Sequence, residues 1–190
     1  EAVLSSGIEG TQASLSDLYL YEAASAQGTL FRPVPTDTRE VANYVRALVY
    51  GARRLEKLPV SLRLMRELHG VLMDGVRGAE QSPGGFRRIQ NWIGPEGTPI
   101  AEATYVPPPV PDMLAALDLF ERFLHAKSDY PYLLRLAMAH YQFEAIHPFI
   151  DGNGRVGRLL ITLMLCNDGL LTQPLLYLSA YFERDRASYY

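Results

Sequence analysis

A single cysteine, Cys166, is all the sequence holds, so no internal disulfide can form, which fits a reducing compartment. Cys166 closes an apolar run and reads as a buried structural thiol, because reactive thiols need exposed, electropositive surroundings. Positive charge is also scarce. The net charge of −3 lacks the basic excess on which non-specific nucleic-acid binding depends. The longest strongly apolar run, 159–166, lies between Arg158 and the pair Asn167 and Asp168, well short of the roughly 20 residues that span a bilayer. No signal peptide, internal repeat or low-complexity tract is visible. A Gly-x-Ser-x-Gly hydrolase elbow, a phosphate-binding P-loop and the His-Glu-x-x-His order of zinc proteases are all missing. These absences lead us to expect a cytoplasmic protein with no membrane or nucleic-acid partner. The chain starts without Met and stops at Tyr189 and Tyr190 within a helical pattern, so a fragment of a longer protein is expected.

What is present suits one globular domain. The chain has 190 residues, 48% hydrophobic and 21% charged, enough for a substantial core. Helical spacing recurs in Val41, Tyr44, Val45, Leu48, Val49, Ala52 and Leu55, stopping at Pro59. A second stripe joins Leu62, Met65, Leu68, Leu72 and Met73, and a third Met113, Leu114, Leu117, Phe120, Phe123 and Leu124. The N-terminus reads as a helix near 15–24, preceded by a shorter one near 5–10 that Gly7 weakens. Segments 133–146 and 159–165 are apolar nearly all round and are expected as two buried central helices. The fold class is therefore all-α. Glycines and prolines between 77 and 112 break the pattern; residues 86–93 and the turn 94–97 fit a short β-hairpin.

The chemistry concentrates between the two apolar helices, in His147-Pro148-Phe149-Ile150-Asp151-Gly152-Asn153-Gly154-Arg155-Val156-Gly157-Arg158. Pro148 turns the chain, and Gly152 and Gly154 allow unusual backbone angles and close ligand approach. A helix starting here aims unpaired N–H groups at an anion. Arg155 and Arg158 suit phosphate oxygens, Asp151 suits Mg²⁺ shared with phosphates, and His147 can take a proton near neutral pH. Base, metal carboxylate, anion cradle and two arginines are the equipment of phosphoryl or nucleotidyl transfer. His140, Glu144 and His147 share a helix face, but the first two read as bracing groups within a buried helix.

This string resembles the signature of the Fic family, His-x-Phe-x-Asp/Glu-Gly-Asn-Gly-Arg-x-x-Arg, at every specified position. The resemblance implies a Fic-type helical bundle with a short β-hairpin flap. It implies a protein adenylyltransferase that moves AMP from ATP to a Ser, Thr or Tyr hydroxyl of a target protein or of itself. His147 would deprotonate the hydroxyl and Asp151 would hold Mg²⁺. Asn153 and Arg155, with the Gly152 and Gly154 backbone, would meet the phosphates, and Arg158 would hold the γ-phosphate. Phe149 would anchor the loop. The segment with Phe86, Arg87, Arg88, Ile89 and Trp92 resembles the family's flap, where an extended target segment pairs strand-fashion. Tyr189 and Tyr190 resemble a tyrosine pair near the adenine pocket.

Near the N-terminus, Ser5, Glu9 and Gly10 match the family's inhibitory pattern Ser/Thr-x-x-x-Glu-Gly/Asn. The resemblance implies that Glu9 pairs with Arg158 and denies it to the γ-phosphate. The expected organisation is a segment 1–30 carrying this helix, packed on a core at 31–190. Alternatives stay open: AMP removal with Glu9 aligning water, transfer from another donor, or a nucleotide-binding adaptor. A homo-oligomer is compatible with all of them.

Overall fold

A computed structural model describes residues 1–28, 34–77, 82–95, 97–185 and 189. Among these residues the chain is all-helical, with eight α-helices and one 3₁₀ turn. In chain order the helices are α1 (Ala2–Ile8), α2 (Leu15–Ala26), α3 (Thr36–Leu55), α4 (Leu62–Leu72), α5 (Val110–His125), α6 (Tyr132–Ile146), α7 (Asn153–Asn167) and α8 (Leu178–Arg184). Local chemistry sets several starts. Ser14 accepts from the Asp17 N–H while the Asp17 carboxylate accepts from the Ser14 N–H, a reciprocal capping box that opens α2. Ser61 caps α4 through the Leu64 N–H.

One helix lies at the centre. From Val156 to Leu165 every residue of α7 is buried, with α3, α4 and α6 packed around it. Close approach of α3 depends on Gly51: a Cβ there would lie 2.6 Å from Leu163 Cδ1. The expectation of a second wholly buried helix fails. Only Leu136, Ala139, Phe143 and Ile146 of α6 are buried, while Leu133, Leu134, Met138 and Tyr141 are exposed. Packing against α5 and α7 covers one side of α6, and no described element covers the other. Helix α1 rests on α3, α7 and α8, so the N-terminus is part of the packed body.

The hairpin shrinks to one antiparallel bridge, in which Ile93 and Tyr105 exchange N–H···O bonds of 2.8 and 3.1 Å. Pro95 and Pro99, and Pro107 through Pro109, lack the N–H groups a longer ladder would need. The flap is held by side chains instead. No described helix is long and apolar enough to cross a membrane.

Candidate active site

Helix α6 ends on His147, whose backbone takes the left-handed conformation (φ 48°, ψ 61°). A non-glycine residue held there is strained, and its surroundings must fix it. The His147 carbonyl accepts from Arg87 Nε at 3.0 Å, and Arg87 N–H donates to the Pro148 carbonyl at 2.8 Å. The ring nitrogen Nδ1 lies 3.3 Å from the Glu144 carbonyl, which can only accept. The proton therefore sits on Nδ1, and Nε2 keeps its lone pair. Burial lowers the His147 pKa, which keeps the ring in its basic, neutral form at pH 7.

The turn after His147 hangs on Phe149, which is fully buried against His69, Phe86 and Phe143. Asn153 accepts from the Phe149 N–H and donates to the Phe149 carbonyl, both at 2.9 Å. The Asn153 amide, expected to meet phosphate, is thus consumed in shaping the loop, and only its main chain faces the helix start. Asn91 donates to the same Phe149 carbonyl at 2.9 Å.

Gly152 (φ 78°) then starts α7, and no side chain caps it. Its free N–H groups and helix dipole favour an anion at this point. Asp151 is half-exposed beside it and lies 3.3 Å from Arg155 Nη2. A lone carboxylate fits Mg²⁺ held mainly by phosphate oxygens and water, the usual manner for this small, strongly hydrated ion. Arg155 is buried, 3.7 Å from Glu40, with Nε and Nη1 making no hydrogen bond. Glu40 is buried too and also accepts from Thr11 Oγ1 at 2.6 Å, which ties the chain just after α1 to α3.

Arg158 sits one turn further on and is 1% exposed. Its Nε donates to Ser5 Oγ at 2.8 Å; Nη2 donates to the Ser5 carbonyl at 2.9 Å and to Glu9 Oε1 at 2.6 Å. Burial opposes the Arg158 charge, but Glu9 and Tyr189 together outweigh it and the pKa is raised. A Cβ on Gly154 would collide with Glu9 Oε1 and approach Arg158 Nη1, so the Glu9 carboxylate stands against the first turn of α7. Gly10 follows with φ 90° and turns the chain out of the site. Tyr189 lies 3.4 Å from Arg158 Nη1 and stacks on Phe182 at 4.2 Å. Tyr190 lies outside the described residues.

The five flap residues part company. Arg87 is buried, clamped on the carbonyls of His147, Ile89 and Pro108, and Phe86 packs on Phe149. Arg88, Ile89 and Trp92 stay exposed. Arg87 braces the loop where a target-facing arginine was expected, because its alternation with Arg88 turns it inward.

Sequence reasoning missed His69. It reads as a core residue on the apolar face of α4, about 80 positions from the loop, yet its ring stacks on Phe149 at 3.9 Å and 5°. His140 and Glu144 do not brace each other: His140 Nδ1 and Glu144 Oε1 are buried without hydrogen-bond partners. Gly157 makes room for them, since a Cβ there would strike the Glu144 carboxyl. Burial pushes the Glu144 carboxyl up to about 7, with Arg158 opposing and Glu9 assisting. A carboxyl whose folded pKa is raised favours folding at low pH, and that contribution is lost as pH rises from about 4.5 to about 7. Glu144→Gln is therefore expected to gain stability over the parent as pH rises through this window, by on the order of 2–3 kcal/mol. Urea unfolding at pH 5 and pH 8 measures it; an equal difference at both would contradict a raised pKa.

An imidazole, a carboxylate, an uncapped helix start and a paired buried arginine thus lie within residues 147–158 of an all-helical domain. The chain belongs to the Fic/DOC family, whose model matches residues 59–165, and the family's N-terminal model matches residues 1–53. It is similar to proteins named protein adenylyltransferase Fic from Drosophila ananassae and Drosophila virilis, each 36% identical over 125 residues and 63% of this chain. The chain spans about a fifth of the length of those relatives (22% and 23%). Among solved structures it resembles a Fic family protein from Desulfovibrio desulfuricans, with TM-score 0.72 and 25% identity over 98% of this chain and 53% of that one. Fic-1 from C. elegans shares the fold, with TM-score 0.64 and 24% identity over 87% of this chain and 46% of that one.

Proposed function

We propose that the protein transfers AMP from ATP to a hydroxyl of a protein target and that α1 holds this activity down. The observation that carries the reading is the presentation of His147, with Nε2 free, in the same turn as the uncapped start of α7. The name adenylyltransferase borne by the Drosophila relatives supports the same chemistry.

In this reading the phosphates of ATP lie at the α7 N-terminus, received by main-chain N–H groups from 153 onward and by Arg158. Magnesium, held by Asp151 and phosphate oxygens, would supply charge neutralisation. The target hydroxyl gives its proton to His147 Nε2 as its oxygen forms a bond to the α-phosphorus. The bond from that phosphorus to the bridging oxygen breaks, and pyrophosphate leaves with the electron pair. The exposed Arg88, Ile89 and Trp92 edge offers an extended target segment its seat beside His147.

Glu9 occupies the place and the arginine that the terminal phosphate needs, so productive ATP binding requires α1 to move. Gly7 has open space around it, with no atom within 4 Å of an added Cβ. Its presence loosens α1 without serving packing. Gly7→Ala should stabilise α1 by about 0.5–1 kcal/mol and lower basal transfer about 2- to 5-fold. Initial rates at saturating ATP measure this, and an unchanged or higher rate would contradict it.

The central test uses Mg²⁺ with ATP labelled on the α-phosphate. Label should become covalently attached to protein, with pyrophosphate released. Attachment only from γ-labelled ATP would make the enzyme a kinase and overturn the proposal.

A further inference from the structure

We infer that His69 is a positioning residue that ties the flap and the phosphate loop to one frame, helix α4. The inference rests on the proposed transfer reaction for its kinetic consequences only. Its geometry is self-contained. The Gly84 N–H donates to His69 Nδ1 at 2.8 Å, so that nitrogen must carry a lone pair. The opposite nitrogen, Nε2, lies 3.0 Å from the Asp151 carbonyl, which can only accept. The two contacts therefore demand the same neutral ring, protonated on Nε2, and neither could be satisfied by the other tautomer. Stacking on Phe149 at 3.9 Å fixes the plane of that ring, and His69 is buried.

Each contact lands on a peptide that matters. A trans peptide places its carbonyl and its N–H on opposite sides of one plane. Holding the Asp151 carbonyl thus sets the direction of the Gly152 N–H, which donates to the Asp151 carboxylate at 2.5 Å just ahead of the N–H groups that begin at 153. The Asp151 side chain leaves the same residue and is oriented with it. On the other side Gly84 (φ 75°) begins the flap. Its carbonyl accepts from Arg66 Nε at 2.8 Å, and Arg66 lies over the Phe86 ring at 5.6 Å, so this entry point is also fastened to α4. His69 is an α4 side chain that bonds both the Gly84 N–H and the Asp151 carbonyl. Through His69 the flap entry at Gly84 and the Asp151 peptide ahead of α7 keep one register on α4, which preserves the line from target hydroxyl to α-phosphate.

The two bonds can be separated. Asparagine places its carbonyl oxygen near the Nδ1 position and can keep the Gly84 contact; glutamine reaches as far as Nε2 and can keep the Asp151 contact. Both lose the stack on Phe149 equally. In the 190-residue chain carrying Glu9→Gly, His69→Asn is expected to lower kcat for AMP transfer about 10-fold or more with the KM for target little changed. His69→Gln is expected to raise the KM for target with a smaller loss of kcat. Amide exchange followed by NMR gives a readout independent of activity: faster exchange at Gly84 in His69→Gln, and at Gly152 in His69→Asn. Long-range ¹H–¹⁵N spectra of the parent should report a ring protonated on Nε2. Parallel losses of stability, exchange protection and rate in both variants would reduce His69 to a packing residue and overturn the inference, as would an Nδ1-protonated ring. Absence of transfer in the parent itself, with the exchange pattern as described, would count against the proposed reaction and leave the tie intact.

Discussion

Glu9→Gly is expected to raise ATP-dependent labelling of protein by about 10- to 100-fold. The magnitude follows from the contact removed. A hydrogen bond between charged groups contributes about 1.5–3 kcal/mol, and each 1.4 kcal/mol is a factor of ten in an equilibrium. Glu9 Oε1 lies 2.6 Å from an Arg158 guanidinium that is almost fully buried, where screening by water is weak. Glycine frees the guanidinium and opens the space against Gly154 in which the carboxylate now stands. The rest of α1 should stay in place. Ser5 still meets Arg158 through its hydroxyl and carbonyl, and Glu1 still accepts from the Ser179 N–H and hydroxyl of α8. The gain should therefore appear as tighter productive ATP binding and a higher rate, with an unchanged thermal midpoint within a few degrees. Initial rates with α-labelled ATP, measured beside the parent chain, decide it. A rate that stays at the parent level would remove Glu9 from any inhibitory role.

Exchanging His147 for alanine should abolish that labelling, lowering the rate about 10²- to 10⁴-fold in the Glu9→Gly background, the usual contribution of a positioned general base. ATP binding should persist, because the proposed phosphate contacts come from α7 and not from the imidazole. Calorimetry with ATP and Mg²⁺ alongside the rate assay separates the two. The lowered pKa gives a second signature. A base kept neutral by burial stays competent below its ordinary pKa, so the acid limb of the rate profile should lie under 6.5. Full activity without the imidazole would assign the proton to another group.

Several features were legible in residue order alone because they are local. The twelve-residue turn carries its own chemistry: glycines where the backbone must bend, a carboxylate, two arginines and a histidine between apolar segments. Helical spacing and apolar runs located six of the helices, though not the starts of α3 and α7, and the Ser-Glu-Gly pattern marked α1. Other features could not be read, since they depend on contacts between distant segments. Arg87 and Arg88 are neighbours in sequence, and only packing decides that the first turns inward to hold His147 while the second stays exposed. Asn153 carries two donors and an acceptor that would serve a phosphate, but Phe149 lies close enough to take both ends.

The sequence by itself determined the all-helical class, the family and the residue types of the 147–158 loop, because those reside in short-range pattern and side-chain chemistry. Tertiary structure decided which groups are free to act. It brought Ser5 and Glu9 onto Arg158, about 150 positions away, and placed the carboxylate against the helix start that the phosphates would otherwise use. It also recruited His69 from the apolar face of α4 to the loop. Burial is the physical reason for both: a charge or an imidazole removed from water must find a partner, and the fold alone determines which partner is within reach.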